Sequence, residues 1–269
     1  MIIKKLLFVL VSSLLATQAF ASRANSDYGN GGRSVVFTLS MGPAWARPGE
    51  TQSTTNLSVF GVDWNTYAPL PVSRALKFSK TAKGTKALYT GELFVGLVGN
   101  INSVVSGQLG LALAGNSSVK LKGTIWTDTN PYLRNFNYSY RVISKRLSVK
   151  GKALYEVNPY DIFPYISGSV GVALNNSSGF TITPYIPVTS PLLDPGPIYS
   201  ARNATAVAWT VGTGLEAALD DGWRVGLGYE FADWGASSLG PSIGQLVGRG
   251  LRLSSLRAHE FAISLSYIS

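Results

Sequence analysis

Eight segments of the chain place bulky apolar residues at every second position and small or polar residues between them. The last, "AHEFAISLSYIS", carries His259, Phe261, Ile263, Leu265 and Tyr267 in one phase and Glu260, Ala262, Ser264 and Ser266 in the other. Successive side chains of a strand point to opposite sides, so this alternation predicts a strand with one apolar and one polar face. A soluble sheet shows the same alternation. The connections decide what the apolar face touches.

The other seven segments are "RSVVFTLSMG", "YTGELFVGLVG", "VVSGQLGLALAG", "YRVISKRLSVKGKALYEV", "PYISGSVGVALN", "AVAWTVGTGLEAAL" and "WRVGLGYEFADW". "VKLKGTIW" keeps the period of two after the third but loses its apolar purity, as a strand rising out of a membrane would. "NIN" at 100–102, "NPYDIFP" and "DDG" at 220–222 read as tight turns. The remaining four connections are long, among them a Pro- and Ser-rich stretch from about 176 to 203 that reads as a loop. Short turns on one side and long loops on the other are the asymmetry of a bacterial outer-membrane barrel. Bilayer hydrocarbon tolerates no open sheet edge, so the sheet has to close. The expected fold is all-β, a transmembrane antiparallel up-and-down β-barrel of eight strands. An extra hairpin in the long first loop would make it ten.

The first residues add an address. Lys4 and Lys5 precede an apolar run from Leu6 to about Ala16, followed by the triplet Ala19, Phe20 and Ala21. That is the layout of a secretory signal peptide, and the run is shorter than the roughly 20 residues of a spanning helix. Residues 1–21 are expected to be removed, leaving 22–269 as the barrel domain with its long extracellular loops. An exported chain with no cysteine holds no disulfide and no thiolate metal site. Charged residues make up only 14% of a chain with 29 Gly and 13 Tyr, which suits crowded internal faces and aromatic interface anchors. Without Lys4 and Lys5 the balance is 21 basic against 14 acidic, or +7, which favours anionic partners such as phosphorylated lipid. Export argues against nucleic acid.

"GTGLEAALDDGWRVGLGYEF", "LRAHEFAISLSY" and "PYISGSVGVAL" resemble the second half of the OmpA-type and opacity-type eight-stranded outer-membrane barrels. The resemblance covers most of residues 33–269 and rests on the order of the motifs rather than on any single one. It implies a porin-like superfamily barrel at the surface of a Gram-negative bacterium, with a structural, adhesive or envelope-integrity role. Assembly machinery and periplasmic chaperones are implied as partners. OmpA-type proteins often add a peptidoglycan-binding domain after the barrel. Here the chain ends with a strand, and that function is not expected.

Candidate chemistry gathers on the inward phase. Glu92, Glu216, Glu230 and Glu260 face Arg146, Lys150, Lys152 and Arg224, four acids against four bases. Side chains fill the interior of so narrow a barrel, and a charge there has to be paired or hydrated. The set reads as an ion-pair plug, with a gated ion path or a carboxylate pair as alternatives.

His259 is the only histidine, so a barrel lipid hydrolase would have to use it. Ser254 and Ser255 lack the short His, Ser and Asn motif that such enzymes share. His259 is instead expected on the lipid-facing phase with Trp223 and Tyr267 as interface anchors. His259 and Tyr267 would lie about 20 Å apart along the axis and mark opposite interfaces. Neither catalytic residues, nor a metal, nor a cofactor is expected.

Lys77, Lys80, Lys83 and Lys86 stand near the end of the first loop, either solvated or touching lipopolysaccharide phosphates. Asn56, Asn116 and Asn176 begin Asn-x-Ser triplets that read simply as loop residues. The ending fits the polar-x-Gly-x-x-apolar-x-aromatic assembly signal of such barrels. Glu260 takes the polar site, Ala262 the Gly site, Leu265 the apolar site and Tyr267 the aromatic one, and Ile268 and Ser269 overhang.

Overall fold

A computed structural model of the protein describes residues 34–49, 51–52, 54–62, 69–78, 85–127, 136–157, 160–184, 198–220, 222–241 and 250–269. The strands in chain order are β1 (Ser34–Pro48), β2 (Thr51–Gln52), β3 (Thr54–Val62), β4 (Pro69–Phe78) and β5 (Lys86–Asn100). They continue as β6 (Val105–Asn116), β7 (Val119–Thr127), β8 (Phe136–Tyr155), β9 (Ile162–Pro184) and β10 (Arg202–Asp220). The last are β11 (Trp223–Asp233), β12 (Ser237–Ser238), β13 (Arg252–Leu253) and β14 (Leu256–Ile268).

Eight of these close a ring in the order β1, β5, β6, β8, β9, β10, β11, β14, with β14 antiparallel to β1 and β8 antiparallel to β9. They are the eight segments that the alternation predicts. The signal is clean because one face of each strand is solvated by lipid and the other by the barrel's own side chains. Leu97, Leu109, Ile166, Leu227 and Ile263 stand exposed on the outside, while Thr38, Ser148, Ser169 and Ser266 are buried within.

The first connection does contain a hairpin, β3 with β4, yet it leaves the ring at eight strands. β4 pairs with β7, and β7 runs beside the upper half of β8, from Val119 opposite Val142 to Ile125 opposite Phe136. β6 occupies the lower half of the same strand, from Val105 opposite Tyr155 to Gly115 opposite Lys145. The hairpin therefore extends the wall above the ring and does not widen it.

Two expectations need correction. The stretch from 176 onward does not leave the sheet at once, because β9 continues to Pro184 alongside β8. A register shift between Ser139 and Arg141 accommodates Gly179, whose φ of 66° breaks ordinary strand geometry. Ser and Thr there serve as cross-strand partners, as in the 2.8 Å contact of Ser139 Oγ with Thr181 Oγ1. The ending, too, has less overhang than its motif implies. Ile268 pairs with Val36, packs against the Val36 and Phe94 cluster at the base of the lumen, and donates its N–H to Gly222 at 2.7 Å.

The short turns are built from local hydrogen bonds. Asn102 Oδ1 accepts the N–H groups of Val104 at 3.0 Å and Val105 at 2.7 Å, which locks the first. Gly222, at φ 84°, turns the third.

Inside the ring, glycines mark close approach. Gly96 and Gly110 are directly opposed on β5 and β6, and a Cβ on Gly110 would strike the carbonyl of Val95 and the Cα of Gly96. Backbone cannot yield there as a side-chain tip can. Gly110→Ala is expected to lose about 1–3 kcal/mol. Gly99→Ala, with nothing within 4 Å of the new Cβ, is expected to stay within about 0.5 kcal/mol of wild type in urea unfolding from lipid vesicles. Equal unfolding midpoints for the two variants would contradict this packing.

Candidate functional site: the closed lumen

β8 presents three bases on alternate inward positions, Arg146, Lys150 and Lys152, with Ser148 between them. Their acids come from strands elsewhere in the ring. Lys150 Nζ lies 2.5 Å from Glu92 on β5 and 2.7 Å from Glu230 on β11. Arg146 Nη2 lies 3.1 Å and 3.5 Å from the same two carboxylates. Two bases and two acids thus form a four-membered cluster, and its bonds tie β8 to strands on both sides of the ring. Lower down, Lys152 Nζ reaches Glu216 at 2.6 Å, with Arg224 on the other carboxylate oxygen at 4.0 Å.

Aromatic rings complete the enclosure. Lys152 sits over Tyr165 at 4.5 Å and Arg224 over Phe163 at 3.9 Å, both rings being on β9. Gly214 and Gly228 leave room for the Tyr165 ring, since a Cβ at either position would meet its hydroxyl. Among these groups lies a cavity of about 60 Å³ lined by Ser40, Glu92, Lys150, Tyr165, Glu230 and Glu260. That is room for a few waters.

Glu260 takes a different partner from the other acids. Its Oε1 accepts the indole N–H of Trp234 at 2.8 Å, and among the described residues it has no ion pair. Trp234 is fully buried, and the Arg146 guanidinium stacks over its ring at 4.6 Å. One indole therefore touches both a base and an acid of the lumen. It is the last residue of the seventh alternating segment and stands one residue past the end of β11, at the start of the connection that follows.

The described parts of that connection, 234–241 and 250–255, pack inward above the charged cluster. Trp234, Leu239, Leu251, Leu253 and Leu256 form an apolar cluster with Leu88, Leu121, Tyr138, Tyr140 and Tyr199. β12, β13 and β2 make a small separate sheet at the same place. The chain is pinned by Asn175 Nδ2, which donates to the carbonyls of Trp234 at 2.9 Å and Ala236 at 2.8 Å. Asp233 Oδ1 accepts the N–H of Gly235, which turns at φ 74°. The apolar residues Leu239, Leu251, Leu253 and Leu256 were the available signal. Their spacing follows no period, because a cap buries residues irregularly.

Outside the ring, His259 lies in the lipid-facing phase, and its Nδ1 is 2.7 Å from the Tyr229 hydroxyl. Its ring packs with Tyr229 and Phe231, and the aromatic group continues through Phe261 to Trp45 and through Phe231 to Trp209. At the other end of the same strands Trp223 and Tyr267 pack at 5.0 Å. Ala262 faces inward opposite Gly228, and Leu265 faces outward opposite Leu39.

Lys86 shares the inward phase of Leu88 on β5, Lys77 on β4 is the backbone partner of Trp126, and Lys80 and Lys83 lie outside the described residues.

No curated protein matches the chain significantly by sequence. Among solved structures, Neisserial surface protein A matches at 11% identity and a TM-score of 0.38, covering 88% of this chain and 98% of that one. The outer membrane protease OmpT of Escherichia coli matches at 10% identity and 0.44, over 88% and 97%. OprG of Pseudomonas aeruginosa matches at 10% and 0.39, over 88% and 98%. No residue role passes from them to this chain. The family described as the outer membrane protein beta-barrel domain matches residues 7–268, nearly the whole chain. With a closed eight-stranded ring, an apolar exterior and a charged interior, the protein belongs to that family and resides in the outer membrane of a Gram-negative bacterium.

Proposed function

We propose that this barrel is a closed, non-catalytic surface protein, with a structural or adhesive role carried by its exterior and loops rather than by its lumen. The observation that carries the reading is the double obstruction of the interior. Buried ion pairs bridge the ring at mid-height, and the Trp234 cap covers them from above. A conducting path would need the two to part together, since Trp234 contacts Arg146 and Glu260 at once.

The same geometry disfavours a hydrolase. The one histidine faces lipid and bonds to a tyrosine, and the lumen carboxylates are occupied by bases or by the indole. Release of fatty acid from lipopolysaccharide, or cleavage of a labelled peptide, by the purified barrel would overturn the non-catalytic part of the reading.

Planar-bilayer recording tests the closed lumen. Wild type is expected to show no steady conductance, and Trp234→Ala to show openings together with a stability loss of about 3–5 kcal/mol. A steady wild-type channel would sink the reading in favour of a small pore.

Lys150→Ala leaves Glu92 and Glu230 to share Arg146 as their one cation partner in a largely buried interior. It is expected to cost about 3–5 kcal/mol, read as a lowered urea midpoint of the folded barrel in vesicles. A wild-type midpoint would mean that the lumen is wet and the pairs unimportant.

The partners that follow are outer-membrane lipid, lipopolysaccharide and the assembly machinery, which reads the last strand through Tyr267. Tyr267→Ala removes an interfacial ring that packs on Trp223, whereas deleting Ile268 and Ser269 removes an apolar contact at the lumen base and their backbone bonds to Gly222 and Val35. The substitution is expected to leave less heat-modifiable folded protein in outer-membrane fractions than the deletion does. The reverse order would make the final residue the signal.

A further inference from the structure

The strands β6, β7, β8 and β9 contain no Asp or Glu, yet β7 and β8 carry seven bases. Three of the seven point inward and are neutralised by acids from β5, β10 and β11. The other four, Lys120, Lys122, Arg141 and Lys145, point outward and are exposed. None of the four has a carboxylate partner among the described residues.

Their placement is specific. Lys120 and Arg141 are direct cross-strand partners, and Lys122 lies one position further along the same face, opposite Ser139. Directly opposed like charges have Cβ atoms about 4.5–5.5 Å apart and repel, so an unoccupied pair of this kind is unfavourable. Lys145 stands four residues down β8 from Arg141, about 13 Å along the strand. Just below it begins the lipid-facing band, with Leu147 paired to Leu113 and to Val172, and Leu174 beside Lys145 itself. These leucines are more than half exposed, as side chains against acyl chains would be. The tight turns, the start of β1 and the end of β14 lie at the other end of the strands, so the four cations stand at the outer edge of the band, at outer-leaflet headgroup height.

We infer that the outer face of β7 and β8 is a binding site for the phosphate groups of the outer-leaflet glycolipid, with Lys120, Lys122 and Arg141 on phosphate and Lys145 at the junction with the acyl chains. A phosphate between Lys120 and Arg141 converts their repulsion into two charge-assisted contacts, the guanidinium offering a paired donor edge. The leucine band beneath gives the chains of the same molecule an apolar wall. This selects a phosphorylated lipid over a soluble anion. The inference rests on the outer-membrane placement of the barrel and is independent of whether its lumen is closed.

The test uses the full chain refolded in neutral phosphatidylcholine vesicles, with binding of fluorescent lipopolysaccharide measured against its dephosphorylated form. Wild type is expected to prefer the phosphorylated form at least tenfold, and the preference should shrink as salt is raised. Lys120→Gln, Lys122→Gln, Arg141→Gln and Lys145→Gln together should abolish the preference while heat-modifiable migration shows the barrel still folded. The matching Lys→Arg triple variant, which keeps Arg141, should retain it and guards against a folding artefact. Equal binding of the two lipid forms by wild type, or an unchanged preference in the quadruple variant, would overturn the site. So would full competition by inorganic phosphate or by a sulfated polysaccharide, since either would mean a soluble-anion surface rather than a lipid one.

Discussion

Backbone hydrogen bonding in hydrocarbon is the constraint on which the rest of the molecule depends. A strand that crosses a bilayer has no water to satisfy its N–H and C=O groups, so each strand needs a neighbour on both sides and the sheet has to close. Here closure is supplied by β1 against β14, with Phe37 opposite Tyr267 and Leu39 opposite Leu265. An eight-stranded ring is narrow, and its interior is only wide enough for side chains. What fills it is therefore set by the inward phase of every strand at once. Gly96, Gly110, Gly214 and Gly228 yield space where Tyr165 or a facing backbone would otherwise collide.

Within that space charge is arranged by strand. β8 supplies three bases, and the acids that meet them come from β5, β10 and β11, so the pairs act between strands distant along the chain. A buried ion pair offers little net stability over a well-packed apolar one, because desolvation offsets attraction. What it provides is register. Sliding β8 by one residue would turn Arg146, Lys150 and Lys152 toward lipid and Leu147 and Val149 into the lumen. Trp234 adds a second layer of the same kind, since its ring lies under Arg146 and its indole N–H bonds to Glu260.

The sequence carried the ring almost completely, for a physical reason. Period-two alternation is imposed wherever a strand separates lipid from a packed interior, so all eight strands and their phases could be read from residues such as Leu109, Leu227 and Ile263. The inward acids and bases were visible by the same phase. Which acid met which base was not, because pairing depends on tilt and stagger around the ring, and nothing local links Lys150 to Glu230. The cap was invisible for a related reason: Leu239, Leu251 and Leu253 are buried by a folded loop with no repeat. The upper part of β9 was misread because Ser and Thr signal a loop in isolation and a partner strand only when β8 is beside them.

The uneven charge of the wall joins these observations. Acids are unevenly placed along the ring: the strands β6 to β9 contain none, and β5, β10, β11 and β14 supply the carboxylates. An interior built of cross-lumen pairs needs this segregation only for inward positions, where Arg146, Lys150 and Lys152 meet their partners. It does not explain Lys120, Lys122, Arg141 and Lys145, which alternate with the inward set on the outer face and have nothing within the described protein to balance them. On the other side of the ring, one outward cation, Arg257, has a balance in Asp233 at 3.3 Å. The two faces of one wall thus follow different rules. The inner face is largely neutralised by pairing within the protein, and the outer face of β7 and β8 is left positive at the height where the membrane itself is anionic, which is the physical ground for the lipid-phosphate site proposed above.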